Sequence, residues 1–423
     1  MISYQRHILN NGLTLLIHHD GATPLATINL LYGVGARDEE PTLTGFAHLF
    51  EHLMFGGTKA VPDYDRVVNS LGGEANAFTN NDYTNFYITV PANQLETAIQ
   101  LEADRMAGLD FSQKALEIQQ RVVTEEYRQR YENQPYGDKW LLLRPLAYTY
   151  HPYRWCTIGA DIKHVQQAKL ENVVDFFNRY YRPDNAVLSV AGPVMPDLVV
   201  KWVQRYFGPI TPSSTGKDVS KPLCKQRHYP IEPEPQTPRR KCVKRDVPAN
   251  ALAIAFLMSE RHHIDFHAYD MLSDILSNGD SSRLHNNLVR GQALFTDLDA
   301  YITGDENTGL FVVSGKLNDG IEMEQAEKSI HAELRRIADE KIDDYEVTKV
   351  SNKYEATFAF SQYKAADRAQ ALCYYEWLGN AELINNEPQM YRQVNAEQLQ
   401  RVAKHCFNPK RACVLEYRKQ MNQ

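Results

Sequence analysis

The sequence lacks the features that mark membrane, disulfide-rich or nucleic-acid-binding proteins. It contains no run of about eighteen apolar residues, the length that a membrane-spanning helix requires. Residues 1–7 lack the basic-then-apolar layout of a signal peptide. The six cysteines have no Cys-x-x-Cys spacing and therefore predict reduced thiols. The net charge of −7 leaves no basic excess, which argues against nucleic acid as the main partner.

What remains is the composition of an ordinary globular protein. A hydrophobic content of 43% and a charged content of 23% are typical of folded chains. With 423 residues, two or more domains are expected. Localisation is not fixed by these features. Reduced thiols favour the cytoplasm, and the periplasm stays open if a leader has been removed.

The most informative stretch is Gly45–Phe55, which contains His48, Glu51 and His52. Positions i and i+4 share one face of a helix, so the two imidazoles can bind one Zn²⁺. Glu51 then lies where it can take a proton from zinc-bound water. The order His-x-x-Glu-His inverts the common His-Glu-x-x-His motif. By itself the pattern also fits an amphipathic helix whose histidines pack or face solvent.

The residues around this helix predict how it starts and stops and what could complete a metal site. Thr44 is expected to cap its N-terminus, and Gly56-Gly57 to end it. A helix is expected over 112–133, and one of its acids Glu117, Glu125 and Glu126 could be a third zinc ligand. A solvated acidic face is the alternative interpretation of those acids.

Residues 72–90 predict a turn that leads into paired strands, because a polar first half precedes a β-branched and aromatic second half. If the first strand lies at a sheet edge, it can bind an extended peptide by β-augmentation. An ordinary polar hairpin is the competing interpretation.

The chain as a whole divides into two similar halves. Residues 209–245 are rich in proline, serine and charge and predict a linker. On each side, a strand is followed by a helix in a similar way, after Val187–Val194 and after Leu310–Leu317. The sequence therefore predicts an α+β fold of two homologous domains, 1–208 and 246–423, each an antiparallel-rich sheet packed with helices.

These residues together resemble the pitrilysin-like, or insulinase-like, zinc metallopeptidases, and among them the short two-domain branch related to mitochondrial processing peptidase. The resemblance spans nearly the whole chain. Its anchors are residues 45–58, 72–84 and 122–128 and the linker between two β/α halves. Such a combination is far more specific than the helix motif alone.

The resemblance implies a function and a set of site residues. It implies zinc-dependent hydrolysis of extended or unfolded peptides, with Glu51 as general base. In the family the third ligand is a glutamate after a Val-Val pair, which corresponds to Glu126, with Glu125 as the second choice. The implied zinc ligands are His48, His52 and Glu126, and the implied substrate-binding residues are Asn76, Ala77 and Phe78.

Two positions depart from the family pattern. Gln119 occupies a place where members often have a second acid, and its neutrality is expected to alter zinc affinity or rate. Members that act alone also have an arginine and, seven residues later, a tyrosine in the second domain. Here Arg290 is followed at that distance by Asp297, and Val289 by Thr296. We therefore expect a dimer in which a homologous subunit supplies the Arg/Tyr pair.

The main rival to an enzyme is a non-catalytic assembly or scaffold subunit of the same fold, like the core proteins of respiratory complexes. Those proteins usually have a degraded metal motif, whereas His48, Glu51 and His52 are intact here. Arg283 is expected to be structural.

Overall fold

The computed structural model describes residues 1–211 and 227–420, which fold into two compact units. The first unit comprises Met1–Tyr127, Trp155–Tyr229 and Ala359–Asn386, and the second comprises Arg128–Arg154, Pro230–Phe358 and Glu387–Gln423. The units do not follow the expected boundaries 1–208, 209–245 and 246–423, because each includes a segment from the other half of the chain. Within the described ranges, no helix has the length and apolar character needed to cross a membrane.

The first unit is built on a six-stranded sheet. Its strands are β1 (Gln5–Ile8), β2 (Thr14–His19), β3 (Leu25–Tyr32), β4 (Glu74–Thr79), β5 (Thr84–Pro91) and β6 (Ala186–Gly192). The order is β1-β2-β6-β3-β5-β4, with β2 parallel to β6 and the other pairs antiparallel. Residues 5–19 alternate around Asn10-Asn11-Gly12 and so predict a β-hairpin. The pairing of β1 with β2 confirms it, and its turn contains Gly12 at φ +90°. The sheet thus ends in β4 on one side.

Helices cover both faces of this sheet. They are α1 (Phe46–Phe55), α2 (Tyr64–Ser70), α3 (Leu95–Ala107), α4 (Gln113–Tyr127), α6 (Ile162–Gln166), α7 (Leu170–Tyr180), α8 (Pro196–Phe207) and α12 (Ala365–Leu378), with α5 (Lys139–Ala147) placed in the second unit. Helix α12 comes from the far half of the chain and packs on β3 and β6. There Ser189 Oγ donates to the carbonyl of Ala369 over 2.6 Å. Covering both faces explains why β3 and β6 are almost entirely buried.

The second unit repeats this plan with five strands. They are β7 (Arg239–Arg245), β8 (Ala251–Leu257), β9 (Phe295–Ile302), β10 (Leu310–Leu317) and β11 (Cys413–Lys419). The order β7-β11-β8-β10-β9 has one parallel pair, β7 with β11, and matches β2-β6-β3-β5-β4 pair by pair. The predicted α+β fold of two similar halves is therefore confirmed.

The helices of the second unit also lie on both sides of its sheet. They are α9 (Phe266–Ser277), α10 (Met323–Asp339), α11 (Asp344–Ser361), α13 (Leu383–Gln393) and α14 (Ala396–Cys406), together with α5 from the first half. Leu143 and Ala147 of α5 share a buried cluster with Ala253 and Leu415. In each unit, one face of the sheet is thus covered by a helix that is distant in sequence.

The motif helix α1 and helix α9 occupy corresponding places, after β3 and after β8. Counted from Phe46 and Phe266, the counterparts of His48, Glu51 and His52 are Ala268, Met271 and Leu272. All three counterparts are buried apolar residues of the core. In α9, the face that could have held a metal is used for packing.

Several predicted elements differ in extent from those observed. The helix expected over 112–133 is α-helical only to Tyr127 and continues as a π-helical segment, Arg128–Glu132. The sequence pattern before Arg182-Pro183 predicts one helix over 163–181, but the structure has two, α6 and α7. The Gln120 amide donates to the carbonyls of Val165, near the end of α6, and Ala168, between the two helices. The glycines and prolines of residues 134–160 predict an irregular segment, but it contains α5, which has Pro145 inside it.

The linker prediction over 209–245 is wrong for its last seven residues, which form β7. Charged residues mask this strand because it lies at the sheet edge with most side chains in solvent. Residues 212–226 of the expected linker lie outside the described residues.

Candidate metal centre and peptide-binding edge

Helix α1 is anchored at its N-terminus by a carboxylate from the preceding loop. Glu39 accepts hydrogen bonds from the backbone N–H groups of Gly45 and Ala47, each at 2.8 Å. Burial raises the pKa of Glu39 well above its ordinary value, although these N–H groups act in the opposite direction. The prediction that Thr44 caps the helix is wrong, because its hydroxyl pairs instead with Nδ1 of His164 at 2.8 Å.

Two glycines set the ends of α1. Gly45 has φ +88°, and a Cβ there would lie 2.7 Å from the Val165 side chain and 2.8 Å from the carbonyl oxygen of Ile158. Gly57 has φ +90° beyond the C-terminus, in agreement with the predicted end of the helix. The helix is therefore fixed in position by close backbone approach at Gly45.

One face of α1 is buried and the other carries the motif. Its buried residues are Phe46, Ala47, Leu49, Phe50, Leu53 and Met54. The ring of Phe50 stacks on Tyr181 at a centroid distance of 5.0 Å. This packing leaves His48, Glu51 and His52 only partly covered, on the side that meets α4 and β4.

The structure brings His48, His52 and Glu126 together. Glu126 Oε2 lies 3.5 Å from His48 Nε2 and 3.2 Å from His52 Nε2. One ligand atom from each residue lies within 4.8 Å of the others. Zinc bonds of about 2.0–2.1 Å in a tetrahedral arrangement put neighbouring ligand atoms roughly 3.3 Å apart. The three side chains therefore fit a shared zinc ion in both donor type and spacing.

The other acids of α4 do not join this group. Glu125 is exposed, one residue before the partly buried Glu126. Glu117 is exposed as well and accepts a hydrogen bond from the Gln113 amide at 3.0 Å. Gln119 lies two turns before Glu126 and is partly buried. The geometry favours Glu126 over Glu125 as the third ligand.

Glu51 receives a hydrogen bond from the neighbouring strand. The Thr79 hydroxyl donates to Glu51 Oε2 over 2.7 Å. Thr79 is the last residue of β4, which packs against α1. A hydrogen bond to a carboxylate at this distance is strong enough to hold one rotamer. The strand and the metal-binding helix are thus joined at the residue expected to act as base.

Strand β4 is an edge strand, as the peptide-binding prediction requires. It pairs with β5 through Asn76–Tyr87, Ala77–Phe86 and Phe78–Asn85, and across the described residues no strand pairs with its other side. Asn76 and Phe78 are exposed, whereas Ala77 is partly buried. An open edge next to a metal site can hold the backbone of an extended peptide.

Two side chains that matter here were missed from the sequence. Thr79 follows Asn76-Ala77-Phe78 directly, so strand alternation could have placed it on the same face as Ala77. No local pattern indicates the role of Glu39, because it lies six and eight positions before Gly45 and Ala47, whose backbone N–H groups it binds.

Comparison with protein families gives two matches that together span most of the chain. Residues 14–149 match the model described as insulinase, peptidase family M16. Residues 167–354 match the model described as peptidase M16 inactive domain. The first match contains the histidine motif, Glu126 and β4, and the second does not.

Individual relatives agree. The chain is 28% identical over 405 residues to the zinc protease PqqE of Helicobacter pylori, covering 94% of this chain and 89% of the relative. It is 25% identical to a probable mitochondrial-processing peptidase subunit beta of Schizosaccharomyces pombe, covering 72% and 67%. The crystal structure of a protease from Helicobacter pylori matches with a TM-score of 0.91 and 26% identity, covering 99% and 100%.

Proposed function

The chain belongs to the M16, or insulinase, family of peptidases, and on that premise we propose that it is a zinc-dependent peptidase that hydrolyses extended or unfolded peptides. The observation that supports this most is the group of His48, His52 and Glu126, whose ligand atoms lie within 4.8 Å of one another beside Glu51. Relatives with this fold are named zinc proteases.

The site residues divide the chemistry between them. His48, His52 and Glu126 would hold the zinc ion. Bound there, zinc would acidify a water molecule and polarise the peptide carbonyl. Glu51 accepts the proton of the attacking water and passes it to the leaving amine. Thr79 keeps the Glu51 carboxylate in position through its hydrogen bond to Oε2.

The substrate backbone would bind along β4. Its unpaired N–H and C=O groups can extend the sheet by one strand, which recognises an extended chain with little regard to sequence. Asn76 and Phe78 direct exposed side chains where a bound peptide would contact them. A folded protein offers few such segments, so the preferred substrates are oligopeptides and unfolded chains.

Metal analysis combined with Glu51→Gln tests this function. We expect one zinc per chain in both proteins, and a loss of peptidase activity of at least about 100-fold in the variant, because a general base contributes about that much. Activity is followed with a quenched fluorescent peptide. A chain that binds no zinc, or a variant that keeps its activity, would instead favour the scaffold alternative.

We further propose that full activity requires a homologous subunit that supplies the Arg/Tyr pair. At the corresponding places, Asp297 pairs with the ammonium of Lys316 at 2.9 Å, and the Thr296 hydroxyl donates to the Lys316 carbonyl at 3.2 Å. Arg283 is held by Glu346 at 2.6 Å, as expected of a structural residue. The Schizosaccharomyces pombe relative is named as one subunit.

Coexpression tests the partner proposal. The chain is assayed alone and together with a homologue that lacks the histidine motif but carries the Arg/Tyr pair. We expect turnover to rise only in the mixture, and to fall again when that arginine is replaced by alanine. Full activity from the single chain would refute the proposal and leave the zinc mechanism intact.

A further inference from the structure

The second unit contains a cavity that is separate from the candidate metal centre. It has a volume of about 490 Å³, and all its lining residues belong to the second unit. They come from the segment before β7, the loop after β8, the start of α9 and helix α14. Cavities of this size commonly hold a small ligand or one large side chain.

Carboxylates dominate the charge of this cavity. The lining contains Glu232, Glu234, Glu260 and Asp265, against the single guanidinium of Arg401. This balance of charge favours a cationic group over an anion.

Glu232 is a buried and ionised residue of the lining. It is 4% exposed, and its two oxygens accept from the backbone N–H groups of Thr149, Tyr150 and His151 at 2.7–2.9 Å. Burial would raise the pKa of Glu232, but these hydrogen bonds hold it below its ordinary value. Arg239 approaches it only to 3.9 Å.

The remaining acids differ in how far they are neutralised. Asp265 binds Arg401 at 2.6 Å, and Glu234 binds Arg411 at 2.8 Å. The Glu260 side chain is exposed and has no ion pair or hydrogen bond within the described ranges. Even when these arginines are counted, Glu260 leaves the cavity with an excess of negative charge.

Tyr269 supplies an independent sign of a missing ligand. It lines the cavity and is only 4% exposed. Its hydroxyl has no hydrogen-bond partner in the part of the chain that the structure describes. Burial, followed by the nearby Cys406, Asp265 and Glu234, raises the pKa of this hydroxyl, so it stays protonated and neutral. The hydroxyl is not among the fully enclosed unpaired atoms of the described residues, so it opens to the cavity, where a bound ligand can serve as its hydrogen-bond partner.

Apolar side chains stand next to the lining residues. Ile231 is 87% exposed beside Glu232, and Ile264 is 80% exposed beside Asp265. Neither isoleucine lines the cavity itself, so whether the cation belongs to a peptide is left to the choice of probes.

We propose that this cavity binds the guanidinium or ammonium group of a basic side chain. The cation pairs with Glu260 at the mouth and donates to the oxygen of Tyr269 inside.

Calorimetric titration of the full-length chain tests this site without any need for hydrolysis. The probes are agmatine, N-acetylarginine methylamide, its uncharged citrulline analogue and a pentapeptide with one central arginine. The protein carries Glu51→Gln so that no probe is consumed. We expect the three cationic probes to bind and the citrulline analogue not to bind.

Variants locate the binding. Glu260→Gln and Tyr269→Phe should each weaken the cationic probes about tenfold, the effect of one hydrogen bond to a charged group. Neither change removes an internal partner, so thermal unfolding should stay at the parent value. Asp319→Asn removes an exposed carboxylate of the same unit outside the cavity and should change nothing.

The outcomes separate the sources of the cation. Equal affinity for agmatine and the pentapeptide means that the group alone is recognised. If the pentapeptide binds more tightly than agmatine and Ile264→Ser reduces that difference, the flanking peptide is recognised as well. Both results support the site. Binding of the citrulline analogue as tightly as arginine, no binding of any cationic probe, or unchanged affinity in both cavity variants would overturn it. None of these results depends on zinc or on peptidase activity.

Discussion

Replacing Thr79 by valine should slow hydrolysis without removing the metal. Valine has nearly the same shape but no hydroxyl, so Glu51 loses the donor that lies 2.7 Å from its Oε2. A hydrogen bond to a charged group contributes about 1.5–3 kcal/mol, and we take the lower end because the site is partly open to solvent. About 1.5 kcal/mol corresponds to roughly a tenfold lower kcat/KM.

The assay separates positioning of the base from other effects. We expect the loss in kcat, with KM little changed, because the Thr79 hydroxyl acts on the base through its hydrogen bond to Glu51 Oε2. Bound zinc, measured by atomic emission, should stay at one per chain. Thr79→Ser keeps a hydroxyl at the same place and should recover most of the rate.

Three results would refute this reasoning. A Thr79→Val enzyme within twofold of the parent rate would mean that the hydrogen bond does not position Glu51. Loss of zinc, or a change in KM alone, would mean that the residue acts on the metal centre or on substrate binding. Failure of Thr79→Ser to restore the rate would point to a packing effect of the substitution.

Further predictions concern the metal, acid stability and the helix start. Glu126→Gln should strip most bound zinc, whereas Glu125→Gln should keep it, because only the former lies beside the histidine nitrogens; equal zinc content in both would contradict the ligand assignment. Glu232→Gln should lower the free energy of unfolding at neutral pH, measured by urea denaturation, by about 1–2 kcal/mol. Because the pKa of Glu232 is depressed in the fold, its stabilising contribution is present above about pH 4.5 and is lost as the pH falls below that value. The free energy of unfolding of the variant should therefore depend less on pH in this acid range. Gly45→Ala should destabilise by about 2–3 kcal/mol in thermal unfolding, and Gly304→Ala by only about 1 kcal/mol, because both have positive φ but only the first meets a steric clash; equal losses would contradict the clash.

Local patterns predicted much of the secondary structure, and failures occurred where distant groups decide. The hairpin of β1 and β2 followed from Asn-Gly and alternation. Strand β7 was hidden because its side chains are charged and exposed, so that only pairing with β11 makes it a strand. Near the break at residues 167–169, the chain is bound by the amide of Gln120, 45 positions before Val165.

Helix capping shows the same limit. Threonine is a residue type that commonly caps helices. Here, however, the carboxylate of Glu39 binds the N-terminal N–H groups, and the Thr44 hydroxyl pairs with His164. Sequence spacing cannot show such competition, because it depends on how the loop folds back.

The sequence by itself determined the chemistry that is available: two imidazoles at i and i+4 with a carboxylate between them, since helical periodicity alone puts them on one face. It also determined the repeated architecture, through its repeated order of strands and helices. Only the tertiary structure decided which acid of α4 meets those imidazoles, that Thr79 reaches Glu51, and that α5 and α12 pack away from their own halves of the chain. These outcomes depend on the rotation and contacts of whole elements, which local patterns do not encode.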